Sequence, residues 1–87
     1  MNRTILTVDD DVTVTTYVKA TLELEGFTVL SAASGPEAVD VAQGTVLDLI
    51  LLDIQMPGLG GYDVLEALRV VDDTRQIPVM FLTVEDQ

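Results

Sequence analysis

With 87 residues and a formal net charge of −11, from four Lys and Arg against 15 Asp and Glu, the chain is one small acidic domain. The charge repels phosphodiester backbones and so disfavours nucleic acid as a direct ligand, while it favours cations and basic partner surfaces. Cysteine and histidine are both absent, which removes disulfides, thiolate chemistry, histidine general bases and the usual zinc sites.

Apolar residues make up 48% of the chain, enough for a core. Any bound metal must be held by oxygen ligands, which selects Mg²⁺, Mn²⁺ or Ca²⁺. The start, Met1-Asn2-Arg3-Thr4, has no basic flank followed by a long apolar run, and no stretch approaches a membrane span, so a cytoplasmic location is expected.

Thr4 to Val8 is a β-branched run that ends in Asp9-Asp10-Asp11, a strand delivering carboxylates at its C-terminal end. Asp11 is explained as the cap of the next helix, but Asp9 and Asp10 are relieved only by a nearby cation. That helix runs from Val12 to Glu25, with Val14, Tyr17, Val18, Thr21 and Leu22 on one face at 3.6-residue spacing and Gly26 closing it. Lys19, the sole lysine, falls in this helix, away from the acids.

Phe27 to Ala32 is a second strand. Ser34-Gly35-Pro36-Glu37 opens a helix to about Gln43, with Ser34 capping and Glu37 reaching back, and Ala38, Val41 and Ala42 inward. Asp48 to Leu52 is a short, almost wholly apolar run that reads as a buried parallel strand, and it delivers Asp53 at its carboxyl end. Pro57, Gly58, Gly60 and Gly61 then keep the following loop turning away from that carboxylate. Tyr62 to Val71 is a third helix with Val64, Leu65 and Leu68 as its buried face. Ile77 to Leu82 is a fourth strand ending at Thr83.

The βαβαβαβ alternation predicts an α/β fold, a doubly wound parallel sheet with right-handed crossovers and helices on both faces. All strand ends then share one edge, where Asp9, Asp10, Asp53 and Thr83 converge. Asp10 and Asp53 make a two-carboxylate site for a hard cation, and a carboxylate there can attack a phosphoryl group while Thr83 offers a hydroxyl to its oxygens.

Val8-Asp9-Asp10, Leu51-Leu52-Asp53-Ile54-Gln55-Met56-Pro57-Gly58 and Phe81-Leu82-Thr83 resemble the receiver (response-regulator) domain of two-component signalling, in order and spacing, over essentially all 87 residues. The resemblance implies a flavodoxin-like fold, here lacking the fifth strand and last helices, with strand order 2-1-3-4. It implies that Asp53 is the phosphoacceptor, that Asp10 and Asp53 bind Mg²⁺ (or Mn²⁺) directly with the backbone carbonyl of Gln55, that Asp9 acts through water, and that Thr83 contacts the phosphoryl group. The implied partner is a sensor histidine kinase or a phosphotransfer protein. The chain is then no enzyme in the turnover sense, with slow self-phosphorylation and autodephosphorylation at most.

Three departures from the family pattern stand out: Val84 follows the Thr where a small residue is usual, Gly60 stands where Asp is common, and no fifth-strand Lys is present. The alternative is a pseudo-receiver that keeps the pocket and serves as an interaction or dimerisation module. A phosphohydrolase of the haloacid-dehalogenase type is disfavoured, because Gln55 stands where its general acid belongs. Gly58-Leu59-Gly60-Gly61 lacks the dinucleotide-binding spacing. An unpaired fourth strand with Val79 and Phe81 on one side and Met80 and Leu82 on the other predicts a homodimer through that edge.

Overall fold

The computed structural model describes residues 3–53 and 61–82. Strands β1 (Thr4–Val8), β2 (Thr28–Ala32), β3 (Leu49–Asp53) and β4 (Val79–Leu82) alternate with helices α1 (Val12–Leu24), α2 (Gly35–Gly44) and α3 (Gly61–Arg69). A single turn, α4 (Asp72–Arg75), precedes β4. The strands form one parallel sheet, as the alternation predicts, in the order β2-β1-β3-β4 that the family resemblance implies. Register places Val8 beside Ala32 on one side and Leu52 on the other, so the ends of β1 and β3 stand level.

Local chemistry accounts for the element ends. The Asp11 carboxylate accepts hydrogen bonds from the amides of Thr13 and Val14, capping α1, and Gly26 takes φ 97°, the left-handed conformation that closes a helix without a Cβ clash. The reciprocal cap on α2 forms as expected: Ser34 accepts from the Glu37 amide at 3.2 Å and Glu37 accepts from the Ala33 amide at 2.9 Å. Strand β3 extends one residue beyond expectation, so Asp53 is its last residue and pairs with Leu82 of β4. Strand β4 is shorter than the sequence suggested, because Ile77 and Pro78 lead into it from the α4 turn.

The core lies on one face of the sheet. Leu6, Val8, Ala32, Ile50 and Leu52 pack there under Ala38 and Ala42 of α2 and Val64 and Leu68 of α3, with Val41, Leu65, Val79 and Phe81 at its margin. Thr74 of α4 is buried beside it, its hydroxyl donating to the carbonyls of Leu68 and Val71.

The other face departs from expectation. No residue of α1 is buried, and Tyr17, expected inward, is 72% exposed. The helix packs mainly on β2 and β1 at one flank of the sheet. Its apolar side therefore meets β3 and β4 only across a groove of about 380 Å³ floored by Leu49, Leu51, Met80 and Leu82. Periodicity gave the correct face of α1, but a face is buried only as far as neighbours cover it. No helix among the described residues is long and apolar enough to cross a membrane.

Candidate functional site

The end of β1 and the turn into α1 supply Asp9 and Asp10, and the end of β3 supplies Asp53. One carboxylate oxygen from each lies within 4.8 Å of the others, although the residues are far apart in sequence. Asp9 is buried, Asp53 half-buried and Asp10 exposed, so the cluster runs from the sheet edge outward to solvent. Parallel pairing creates this convergence, because every strand enters the sheet in the same sense and releases its terminal side chain at the same edge.

Asp9 is held firmly. Its amide donates to the Ala32 carbonyl at 3.1 Å, its Oδ1 accepts from the Asp11 amide at 2.9 Å, and its carbonyl accepts from the Thr15 hydroxyl at 3.4 Å. Burial pushes its carboxyl above the ordinary range. The Asp53 charge, a hydrogen bond to Asp53 and the Asp10 charge act in the same direction, against the Asp11 amide, which favours the ionised form. Converging carboxylates repel, and a divalent cation between them relieves that repulsion.

The donor set fits a small hard cation. Octahedral oxygens at 2.0–2.1 Å from one ion lie about 2.9 Å apart when adjacent and about 4.1 Å apart when opposite. Three oxygens within 4.8 Å of one another match the scale of those spacings, and one of them can act through a water. All-oxygen, anionic ligands open to solvent on one side suit an ion that keeps several waters.

Of the residues expected at the site, Asp9, Asp10 and Asp53 are brought together. Gln55 and Thr83 lie outside the described residues, as do the loop through Gly60 and Val84. Two features were not anticipated. Thr15 contacts the Asp9 carbonyl, for which an isolated Thr in a helix gives no sequence signal. Lys19, expected away from the acids, lines a cleft of about 470 Å³ that reaches Asp9 between α1 and the start of α2, together with Thr15, Thr16, Glu23 and Glu37.

Residues 5–87 match the family model of the response regulator receiver domain. The chain is 47% identical over 83 residues to the transcriptional regulatory protein CpxR of Escherichia coli (strain K12), which covers 95% of this chain and 34% of that protein. Among solved structures, the chemotaxis protein CheY4 of Vibrio cholerae superposes with a TM-score of 0.92 at 32% identity, covering 100% of this chain and 72% of that one. The response regulator protein TrrA of Thermotoga maritima, in complex with Mg²⁺–BeF, superposes with a TM-score of 0.84 at 32% identity, covering 93% and 69%. The chain thus spans about a third of the length of the curated relatives it matches. On the match of its sequence from Ile5 to Gln87, and on a sheet that brings the acids of β1 and β3 to one edge, the chain belongs to the response regulator receiver domain family of two-component signal transduction.

Proposed function

We propose that the chain is a phosphoacceptor module, in which Asp53 receives a phosphoryl group in the presence of Mg²⁺ or Mn²⁺. The observation that carries the reading is the convergence of Asp9, Asp10 and Asp53 within 4.8 Å at the carboxyl ends of β1 and β3. The Mg²⁺–BeF complex of TrrA supports it.

A carboxylate oxygen of Asp53 attacks the phosphorus of an acyl-phosphate or phosphohistidine donor. The new O–P bond replaces the donor's O–P or N–P bond, whose electron pair leaves with the acyl carboxylate or the imidazole. When bound, the cation neutralises charge gathering on the phosphoryl oxygens. Asp10 and Asp53 hold the cation directly, and Asp9, fixed by its three hydrogen bonds, orders a coordinated water. Gln55 through its carbonyl and Thr83 through its hydroxyl complete the assignment. The donor protein is a sensor histidine kinase or a phosphotransfer protein, met in the cytoplasm. The chain accepts a phosphoryl group and turns over no separate substrate.

Incubation with acetyl phosphate and Mg²⁺ followed by intact mass tests the reading. One added phosphoryl group on the native chain, and none on Asp53→Asn, is the expected result. Retained Mg²⁺ binding with no adduct would instead favour an interaction module that has kept the pocket and lost the transfer.

The finer proposal on assembly is a homodimer through β4. The support is that β4 lies at one side of the sheet among the described residues, with Met80 56% exposed beside a groove lined mainly by apolar side chains such as Val18, Leu22, Leu49 and Leu51.

A further inference from the structure

We propose that Thr15 is a positioning residue of the acidic site, its hydroxyl holding the Asp9–Asp10 peptide in the orientation that aims the Asp10 carboxylate at Asp53. The inference rests on the cation-site reading above and adds to it a residue that lies outside the acidic cluster.

A threonine inside a helix ordinarily turns its hydroxyl back to the carbonyl four residues earlier. Thr21 does so, donating to the Tyr17 carbonyl at 2.9 Å. Thr15 does not. The carbonyl four residues before it, that of Asp11, takes the Thr15 amide at 3.0 Å, and the Thr15 hydroxyl passes beyond the helix to the Asp9 carbonyl at 3.4 Å. The contact thus bridges the second turn of α1 and the end of β1.

Among the described residues, the Thr15 hydroxyl is the one donor to the Asp9 carbonyl. The amide of Asp9 is tied to Ala32 and its Oδ1 to the Asp11 amide. Neither bond fixes the plane of the peptide that follows, on which the Cα–Cβ direction of Asp10 depends. Asp10 itself belongs to neither β1 nor α1 and is exposed, so neighbouring packing does little to direct it. A single donor on the Asp9 carbonyl therefore sets the peptide plane, and with it the distance from Asp10 to Asp53. Groups that orient metal ligands from outside the ligand set commonly change affinity by about 10- to 100-fold, and a contact as long as 3.4 Å belongs at the lower end.

The test compares the native chain with Thr15→Val, which keeps the branched shape and removes the donor, and Thr15→Ser, which keeps the donor. Mn²⁺ affinity is followed by electron paramagnetic resonance. Amide hydrogen exchange at Asp11 is measured in EDTA, where cation binding plays no part. Thr15→Val should bind Mn²⁺ about tenfold more weakly and exchange Asp11 faster, while Thr15→Ser stays close to native in both. Thr15→Ala, with its higher helix propensity, should follow Thr15→Val and guards against a folding defect. Equal Mn²⁺ affinity in native and Thr15→Val, or a Thr15→Ser as weak as Thr15→Val, overturns the assignment. A native chain that binds no Mn²⁺ overturns the cation site itself. In that event unchanged Asp11 exchange in Thr15→Val would show that the clamp fails as well, and faster exchange that the clamp stands without the cation.

Discussion

A carboxylate oxygen of Asp9 lies within 4.8 Å of one of Asp53 across the β1–β3 pair, where neighbouring parallel strands end level. Burial and this proximity raise the proton affinity of Asp9. A carboxyl whose folded pKa is raised contributes stability below its unfolded value of about 3.9, and that contribution is lost as pH rises through the folded value. In the absence of cation, Asp9→Asn should therefore melt above the native chain at pH 7, and the advantage should vanish below about pH 4. Mg²⁺ at 100 times the native Kd should shift the balance towards the native chain at pH 7, since it adds about 2.7 kcal/mol there and less to a variant that binds it more weakly. Melts of both chains at the two pH values, with and without Mg²⁺, check the sign.

Asp10→Ala should lower Mg²⁺ affinity by at least about 10- to 100-fold, because a direct ligand matters no less than the groups that orient it. Its melting temperature without metal should stay near native or rise, as the side chain is exposed and one of three converging charges is gone. Calorimetric titration beside a thermal melt measures both. Native affinity in this variant would remove Asp10 from the site.

Thr7 and Thr74 are both buried, but the same change to valine should act on them in opposite directions. The Thr7 hydroxyl is buried on β1 with no hydrogen-bond partner among the described residues, so Thr7→Val keeps the shape, removes an unsatisfied group and should stabilise the chain by about 1 kcal/mol. Urea unfolding at unchanged m-value reads this directly.

At Thr74 the hydroxyl donates to the carbonyls of Leu68 and Val71, tying the end of α3 to the turn before β4. Thr74→Val leaves those carbonyls short of a donor in a buried position and should cost about 1–3 kcal/mol. A neutral result in the same urea series would mean that the α3–α4 turn relaxes freely.

The proposed dimer makes a charge-dependent prediction. Two copies of a chain with net charge −11 repel, so sedimentation should show association that strengthens as salt shortens the screening length from about 10 Å at 0.1 M. Met80→Lys places a charge in the exposed groove and should leave a folded monomer. Phe81 is unsuitable for this purpose, because it packs against the core on the other face.

The sequence by itself determined the fold class and the three acids, and its resemblance to a known family supplied the strand order. Each strand is a short apolar run closed by polar or turn-forming residues, and the first two crossovers open with a recognisable cap, Asp11 in one and Ser34 with Glu37 in the other. Once the alternation is read, parallel pairing leaves Asp9, Asp10 and Asp53 no other place than one sheet edge. Only the tertiary structure decided how far each face is covered. Helical periodicity marks Tyr17 and Leu22 as one side of α1, but burial depends on what packs against that side, and α1 sits over β1 and β2 while β3 and β4 stay open. The same limit applies to Thr7, Thr15 and Thr74. Their hydroxyls are alike in sequence, and among the described residues one has no partner, one donates to the Asp9 carbonyl and one ties α3 to the turn before β4. A hydrogen bond forms over about 3 Å and within a narrow range of angles, a scale set by how helices settle on a sheet and not by the spacing of residues along a chain.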